Sequence, residues 1–368
     1  MKVQLLNDSS AGLNWGGIAT TAGLKRTFAA RWPEGELGSV PKAPLPFRKI
    51  KCLRRFAEGR LAGYLQQPGG ARERLAPLLA RLNFRLPPGP LPDRLFLNGE
   101  GAIRDRSGHV ARLLGIARLY QLSGTWVGAV NHSIELGDGS RLVPLVRNVY
   151  RQLDHVTVRE PISYRGLQRI GVENARLVPD AAFAHPPLAE DEIETHLRRM
   201  GLPEAFVCIS GSSALCGRSM AEAEALLQAV KEVTELPIVM LSSTKTDIAL
   251  GETLRARHRD LRMIAPPEGY EAAMAAIARA KFLAGGRFHP AIFAARNGTP
   301  ILVLPGNTHK MSGLVEMLGY PLPAVSWRDP GAMVAGLKVL LTRGDDLGQM
   351  LRERSSALAE QVRQVTGD

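Results

Sequence analysis

The stretch Phe282-Leu283-Ala284-Gly285-Gly286-Arg287-Phe288-His289-Pro290 decides how the whole chain is read. Its apolar start suits a strand covered on both faces, and the two glycines mark a tight turn. Pro290 is placed to open a helix, where its fixed φ fits and its missing N–H costs nothing. Strand, turn and helix in that order form the unit of open parallel sheets, whose ligands gather beyond the carboxyl ends of the strands.

Working outward, the same alternation recurs. Downstream of the middle of the chain, strands are expected at 206–210, 237–242, 261–265, 282–285 and 300–304, each followed by helical periodicity. Upstream, strands are expected at 2–7, 94–98, 126–131, 155–159 and 175–178. Helices are expected at 20–31 and 163–170, and in a segment where Val110, Leu113, Leu114, Ala117 and Tyr120 share one face. The segment from Ala184 to Glu192 combines two prolines with a charge run and reads as a linker. The expected fold class is therefore α/β, with two Rossmann-like doubly wound domains, 1–185 and 186–368, facing a cleft in a GT-B-like arrangement. Residues 40–92, rich in Pro and Arg, read as irregular with one or two short helices. The final helices, 329–342 and 345–365, either cap the second domain or cross back to the first.

A length of 368 residues exceeds what one hydrophobic core usually organises, and 45% hydrophobic with 22% charged residues is ordinary globular composition. Lys and Arg total 47 against 35 acidic residues, a net charge of +12 that attracts phosphorylated ligands, anionic membranes or other polyanions. Part of the excess is concentrated in Lys42, Arg48, Lys49, Lys51, Arg54, Arg55 and Arg60, opposed only by Glu58. That segment is either a solvated face or a contact with lipid phosphates. It lacks the interleaved aromatics and motifs of a nucleic-acid site, so no nucleic acid partner is expected. Cys52, Cys208 and Cys216 have neither zinc-ligand nor disulfide spacing, and no metal is expected. With a short apolar start and no uncharged 18-residue stretch, the expectation is a cytoplasmic protein in at most peripheral contact with the inner membrane face.

The candidate chemistry sits in loops that follow strands. Arg287 and the helix amides after it suit a phosphate or carboxylate, and His289 adds a proton donor or acceptor beside them. The turn Pro305-Gly306-Asn307-Thr308-His309-Lys310 offers Lys310 as a second cation. The loop from Ser210 to Arg218 offers backbone amides and Arg218 as another anion clamp. In the first half, Asn98-Gly99-Glu100-Gly101 leaves a carboxylate between glycines, placed to take a proton from a sugar hydroxyl or to bind it. The loop containing Asn14, Gly16 and Gly17 holds the same position after the first strand. Arg159, Glu160 and Ser163 read as a helix cap that either also directs Arg159 toward a ligand or is structural alone. Asp180 is either a catalytic carboxylate or the cap of a turn. The glycine-rich nucleotide motifs G-x-G-x-x-G and G-x-x-x-x-G-K-[ST] are absent, as are H-E-x-x-H and G-x-S-x-G.

In their order and spacing, Asn14-Trp15-Gly16, Asn98-Gly99-Glu100-Gly101, Arg159-Glu160 with Ser163, Pro179-Asp180 and Gly286-Arg287-Phe288-His289 resemble the polysaccharide pyruvyl transferase family. The run Gly298-Thr299-Pro300-Ile301-Leu302-Val303-Leu304, with Lys310 and Gly313-Leu314, extends the resemblance to about residue 320. It implies a GT-B-like fold and transfer of pyruvate from phosphoenolpyruvate to two sugar hydroxyls as a cyclic ketal, in cell-surface or exopolysaccharide synthesis. The first domain then takes the acceptor, a sugar or lipid-linked oligosaccharide, and the second takes the donor. Phosphoenolpyruvate is a substrate in this reading, and no cofactor is expected. His289, Glu100 and Asp180 become the candidate catalytic residues. Arg287, Phe288, Lys310, Arg218, Arg159, Asn14, Gly16 and Asn98 become the candidate binding residues. The basic insertion at 41–92 departs from the family pattern. The competing expectations are a nucleotide-sugar glycosyltransferase of the same architecture and a noncatalytic glycan- or lipid-binding protein.

Overall fold

The computed structural model describes residues 1–40, 51–67, 69–105, 110–137, 139–215 and 220–367. Its first sheet is built from β1 (Lys2–Leu6), β2 (Glu36–Ser39), β3 (Arg94–Arg104), β4 (Trp126–Glu135), β5 (His155–Val158) and β6 (Ala175–Leu177), in the order β2-β1-β3-β4-β5-β6. Its second contains β7 (Val207–Ser212), β8 (Ile238–Leu241), β9 (Arg262–Ile264), β10 (Leu283–Gly286) and β11 (Ile301–Val303), in the order β11-β10-β7-β8-β9. Each of these ladders is parallel.

Helices connect the strands. The first half carries α1 (Trp15–Arg31), α2 (Lys51–Leu65), α3 (Arg72–Ala80), α4 (Val110–Gln121), α5 (Val143–Tyr150) and α6 (Pro161–Arg169). The second carries α7 (Glu190–Met200), α8 (Met220–Val233), α9 (Lys245–Arg257), α10 (Gly269–Arg279), α11 (Phe288–Asn297), α12 (Lys310–Leu318), α13 (Pro330–Thr342) and α14 (Gly344–Gln361). Strands β5, β7, β8 and β10 are buried at every position, as continuous apolar or small-residue runs must be when helices cover both sheet faces.

The chain divides into two compact units that do not follow a single cut. Unit 1 contains residues 1–8, 25–180 and 362–368, and unit 2 contains residues 9–24 and 181–361. In place of one linear division at 185/186, the first half of α1 is built into unit 2 and the last residues of the chain are built into unit 1. Small residues explain the first exchange. A Cβ on Gly23 would lie 2.0 Å from the Ala181 carbonyl oxygen, so glycine alone lets α1 approach the short 3₁₀ turn that opens unit 2. The second exchange resolves the ambiguity of the final helices: α13 and α14 stay in unit 2, and a 3₁₀ turn at Val362–Thr366 belongs to unit 1.

In unit 1, Leu95, Leu97, Val127, Ala129, Val156 and Val158 of the central strands pack with Leu114 and Ala117 of α4, all at 5% exposure or less. Truncating Leu114 to alanine in such a core costs about 2–5 kcal/mol. Strand β2 was not expected from its sequence. Its half-buried edge position gives Glu36-Leu37-Gly38-Ser39 no strong apolar signal, and pairing with β1 alone makes it a strand. The charges at Glu190, Asp191 and Glu192 are not part of a linker. They form the first turn of α7, where acidic groups complement the helix dipole and Glu192 accepts from the Ala189 N–H. Within the Pro- and Arg-rich stretch, α2 and α3 are the expected short helices. Residues 41–50 and the side chains of 51–56, hence most of the basic segment and Cys52, lie outside the described residues, as do Cys216 and Arg218.

Candidate functional site

In unit 2 the winding direction reverses between β7 and β10, and a ligand crevice is expected at that reversal. Both strands end there in small residues pressed together. A Cβ on Gly285 would lie 2.0 Å from Ser210 Oγ, and one on Gly286 would lie 2.6 Å from Ser212 Oγ and 2.8 Å from the Pro305 carbonyl oxygen. Ser212 Oγ and Trp327 Nε1 both donate to that carbonyl, at 2.8 and 2.9 Å, which fixes the loop after β11. Beside it Ser213 Oγ donates to Asn307 Oδ1 at 2.8 Å and accepts from the Asn307 N–H at 3.1 Å. Lys310, half-buried, opens α12 directly after this loop.

Arg287 occupies the N-cap position of α11 and leads the chain out of β10. Its Nε and Nη2 donate to Asp247 Oδ1 at 3.1 and 2.6 Å, and Nη2 also reaches Thr244 Oγ1 at 3.0 Å and Thr246 Oγ1 at 3.5 Å. Asp247 is itself fixed. It is 2% exposed, its Oδ2 accepts from Ser243 Oγ at 3.0 Å, and its N–H donates to the N-cap Thr244. The Nε/Nη2 edge of the guanidinium is thus anchored in protein, while these bonds leave Nη1 unused in a side chain that stays 13% exposed. The pairing of Arg287 with an internal carboxylate leaves one edge of the guanidinium, not the whole side chain, for a ligand.

Phe288, not Pro290, begins α11, and Pro290 lies in its first turn, where a proline is equally tolerated. Phe288 is 3% exposed and presents to His289 an edge-on ring contact at 5.3 Å, so its place is support and not ligand contact. The His289 Nε2 lies 3.0 Å from Thr20 Oγ1. Its Nδ1 lies against Gly16, where an added Cβ would come within 1.9 Å of it. Gly16 is buried in the first turn of α1, and Asn14 Oδ1 accepts from its N–H at 3.1 Å as a cap. Asn14 and Gly16 therefore shape the surroundings of His289.

In unit 1 the winding reverses between β1 and β3. Asn7, just past β1, donates from Nδ2 to the Asn98 carbonyl in β3 at 2.8 Å, bridging the two strands. Asn7, Glu100 and Asn131 all adopt left-handed backbone, with φ of 67°, 43° and 57°. Non-glycine residues in that region cost about 1–3 kcal/mol each, and such strain concentrates at functional sites. Asn98 is fully buried and does not itself face a ligand. It accepts from Asn131 Nδ2 at 3.3 Å and donates to Glu100 Oε1 at 3.2 Å, so it orients the half-buried Glu100 carboxylate.

Arg159 and Asp180 form a buried ion pair at 2.6 Å, with side chains 2% and 0% exposed, and Arg159 Nε also donates to Ser133 Oγ at 3.0 Å. This overturns the expectation of Asp180 as a base and Arg159 as a ligand clamp, because both charges are committed to each other inside the unit. Glu160 and Ser163 form the expected cap of α6: Glu160 Oε2 accepts from the Ser163 N–H at 3.0 Å, and Ser163 Oγ donates to Glu160 Oε1. Beneath them His132 is fully buried, with Nε2 2.9 Å from the Tyr150 hydroxyl. Burial pushes the His132 pKa down to about 4 and raises that of Tyr150.

The sequence reading missed Thr20, Asn131, His132 and Asp247. Of these, Asp247 alone had a local signal, since Thr244-Lys245-Thr246-Asp247 has capping spacing directly after a strand.

Two doubly wound parallel units of this kind define a protein of the GT-B-like class, and solved structures agree. UDP-GlcNAc 2-epimerase from Methanocaldococcus jannaschii matches with a TM-score of 0.54 and 10% identity, over 96% of this chain and 99% of that one. Sucrose-phosphate synthase from Thermosynechococcus elongatus matches at 0.57 and 14%, over 100% and 97%. Anabaena HepE in complex with UDP and glucose matches at 0.55 and 13%, over 100% and 96%. At such identities the likeness is one of fold alone. The model of the polysaccharide pyruvyl transferase family matches residues 14–307, and the chain belongs to that family. No curated protein matches the sequence.

Proposed function

We propose that the protein transfers the pyruvyl group of phosphoenolpyruvate to two hydroxyls of one sugar, forming a cyclic ketal and releasing inorganic phosphate, in cell-surface or exopolysaccharide synthesis. The observation that carries this reading is the held guanidinium of Arg287. Asp247 fixes one edge, and the other is left for a carboxylate or phosphate oxygen beside His289. A cation preorganised in this way binds an anion without first being ordered.

The chemistry balances without a further reactant. A proton reaches the methylene carbon and turns it into a methyl, leaving a cationic centre at C2 that one sugar hydroxyl attacks. The C2–O bond to phosphate then breaks, and the second hydroxyl closes the ketal. The two hydroxyl protons end on the methyl group and on phosphate. In this scheme Arg287 and Lys310 hold the anionic donor and His289 supplies the first proton. The net charge of +12 favours an acceptor carried on an anionic lipid at the inner membrane face. No helix among the described residues is long and apolar enough to cross a membrane, so that contact is peripheral in this reading.

The test incubates the protein with phosphoenolpyruvate and candidate glycans and follows inorganic phosphate together with the ketal methyl signal by NMR. One phosphate per ketal is the expected result, and His289→Ala is expected to slow it roughly 100-fold. The proposal fails if a nucleoside diphosphate protects the protein from thermal unfolding while phosphoenolpyruvate neither protects nor turns over. That outcome would favour nucleotide-sugar transfer, although α11 offers no carboxylate to hold a ribose.

A further inference from the structure

We infer that Glu100 binds a hydroxyl of the acceptor sugar on unit 1, and that the buried Asn98 is the positioning residue that aims its carboxylate. The kinetic part of this inference rests on the function proposed above, and the binding part does not.

Asn98 joins three adjacent strands, β1, β3 and β4. Its carbonyl accepts from Asn7 just past β1, its Oδ1 accepts from Asn131 in β4, and its Nδ2 donates to Glu100 Oε1 two residues along β3. Asn7, Asn131 and Glu100 are the residues here with left-handed backbone, so each strained position is bonded to the same fully buried residue. Such over-determination is what keeps strained conformations populated. The carboxylate sets the direction of the chain of bonds. It can only accept, so Asn98 turns Nδ2 toward Glu100 and Oδ1 toward Asn131. Aspartate at 98 would instead set a second negative charge against Glu100.

What this network delivers is a half-used carboxylate. Oε1 takes the Asn98 bond, and among the described residues Oε2 has no partner. Glu100 is half-buried and Gly101 is exposed, with no atom within 4 Å of a Cβ built there, so the chain opens to solvent one residue from the carboxylate. An oxygen with spare lone pairs selects a hydrogen-bond donor. Its charge repels the anionic phosphoenolpyruvate, so the ligand that fits is the hydroxylated one. A metal ion fits poorly, since no group of three or more His, Cys, Asp or Glu side chains among the described residues could hold one. Glycine would take a φ of 43° freely, and glutamate there puts strain into the fold for the sake of its carboxylate.

The experiment records saturation-transfer NMR on methyl glycosides of the common hexoses and their monodeoxy analogues, without phosphoenolpyruvate. At least one glycoside is expected to bind the wild-type protein, with affinity lowered roughly tenfold or more in Glu100→Gln, and one deoxy analogue to bind both proteins equally. Asn98→Asp is expected to lose affinity to the same extent although Glu100 is still present. In turnover, both variants are expected to raise KM for the acceptor roughly tenfold or more and leave KM for phosphoenolpyruvate unchanged. Glu100→Gly separates binding from structure: it is expected to lose the same affinity while Tm stays level or rises, because the backbone strain is relieved. A fall in that Tm marks Glu100 as a structural residue and overturns the inference. Wild-type affinity in Glu100→Gln, or no glycoside bound by the wild-type protein, overturns it equally, and these results decide the matter even if Asn98→Asp does not fold. A wild-type protein that binds a glycoside through Glu100 but forms no ketal would sink the proposed function and leave this inference standing. Ketal formation with an unchanged acceptor KM in Glu100→Gln would do the reverse.

Discussion

Arg287 is attached to the protein by one edge of its guanidinium, and what holds that edge is Asp247. Replacing Asp247 with Asn removes the charge while keeping the shape. A hydrogen bond to a charged group contributes about 1.5–3 kcal/mol, so KM for phosphoenolpyruvate is expected to rise roughly tenfold or more in steady-state kinetics. An unchanged KM would reduce the pair to packing. Asp180 belongs to a different category. Asp180→Asn leaves Arg159 buried without its counter-charge, at a cost of about 3–5 kcal/mol measurable by urea unfolding. Lost turnover at full stability would return Asp180 to the chemistry. Gly286, Arg287 and His289 were legible in the sequence because strand, glycine turn and helix are local signals. Their partners were not: Asp247 is 40 residues from Arg287 and Thr20 is 269 from His289, and nothing local announces such pairings. Asp180 misled because a carboxylate after a strand reads alike whether it faces a ligand or an internal arginine.

At the scale of elements, α1 shows how glycine content is tied to packing. Gly23→Ala drives a Cβ into the Ala181 carbonyl and is expected to cost about 1–3 kcal/mol of stability. In α2, nothing lies within 4 Å of a Cβ built on Gly63, and Gly63→Ala is expected to stabilise by about 0.5–1 kcal/mol. Thermal melts of the two variants should therefore move in opposite directions, and a shared direction would refute the packing argument for α1. Most helices were readable from apolar periodicity and most strands from continuous apolar runs, since burial on both faces of a sheet removes the alternation. β2 escaped because an edge strand carries little of that pattern, and the start of α7 was read as a linker because its acidic first turn looks like a solvated charge run.

For the whole molecule, His132 sets a limit on acid stability. Its pKa is near 6.5 in an unfolded chain and about 4 when buried in the folded protein. Between those values the unfolded state binds more protons, so stability falls as pH falls through that window, by about 1.4 kcal/mol per pH unit, and is unaffected above it. Urea unfolding from pH 7 to pH 4 should show this slope in the wild-type protein and not in His132→Gln, and equal slopes would clear His132. A different constraint follows from residues 9–24 lying in unit 2 and 362–367 in unit 1. As the nascent chain leaves the ribosome, the first sheet emerges well before residues 362–367, which belong with it, have been translated. The second sheet, in turn, must recover a helix segment translated long before it. Folding one domain at a time during translation is the common route for large chains, and here it leaves unit 1 to gain its last native contacts only after unit 2 has been made in full.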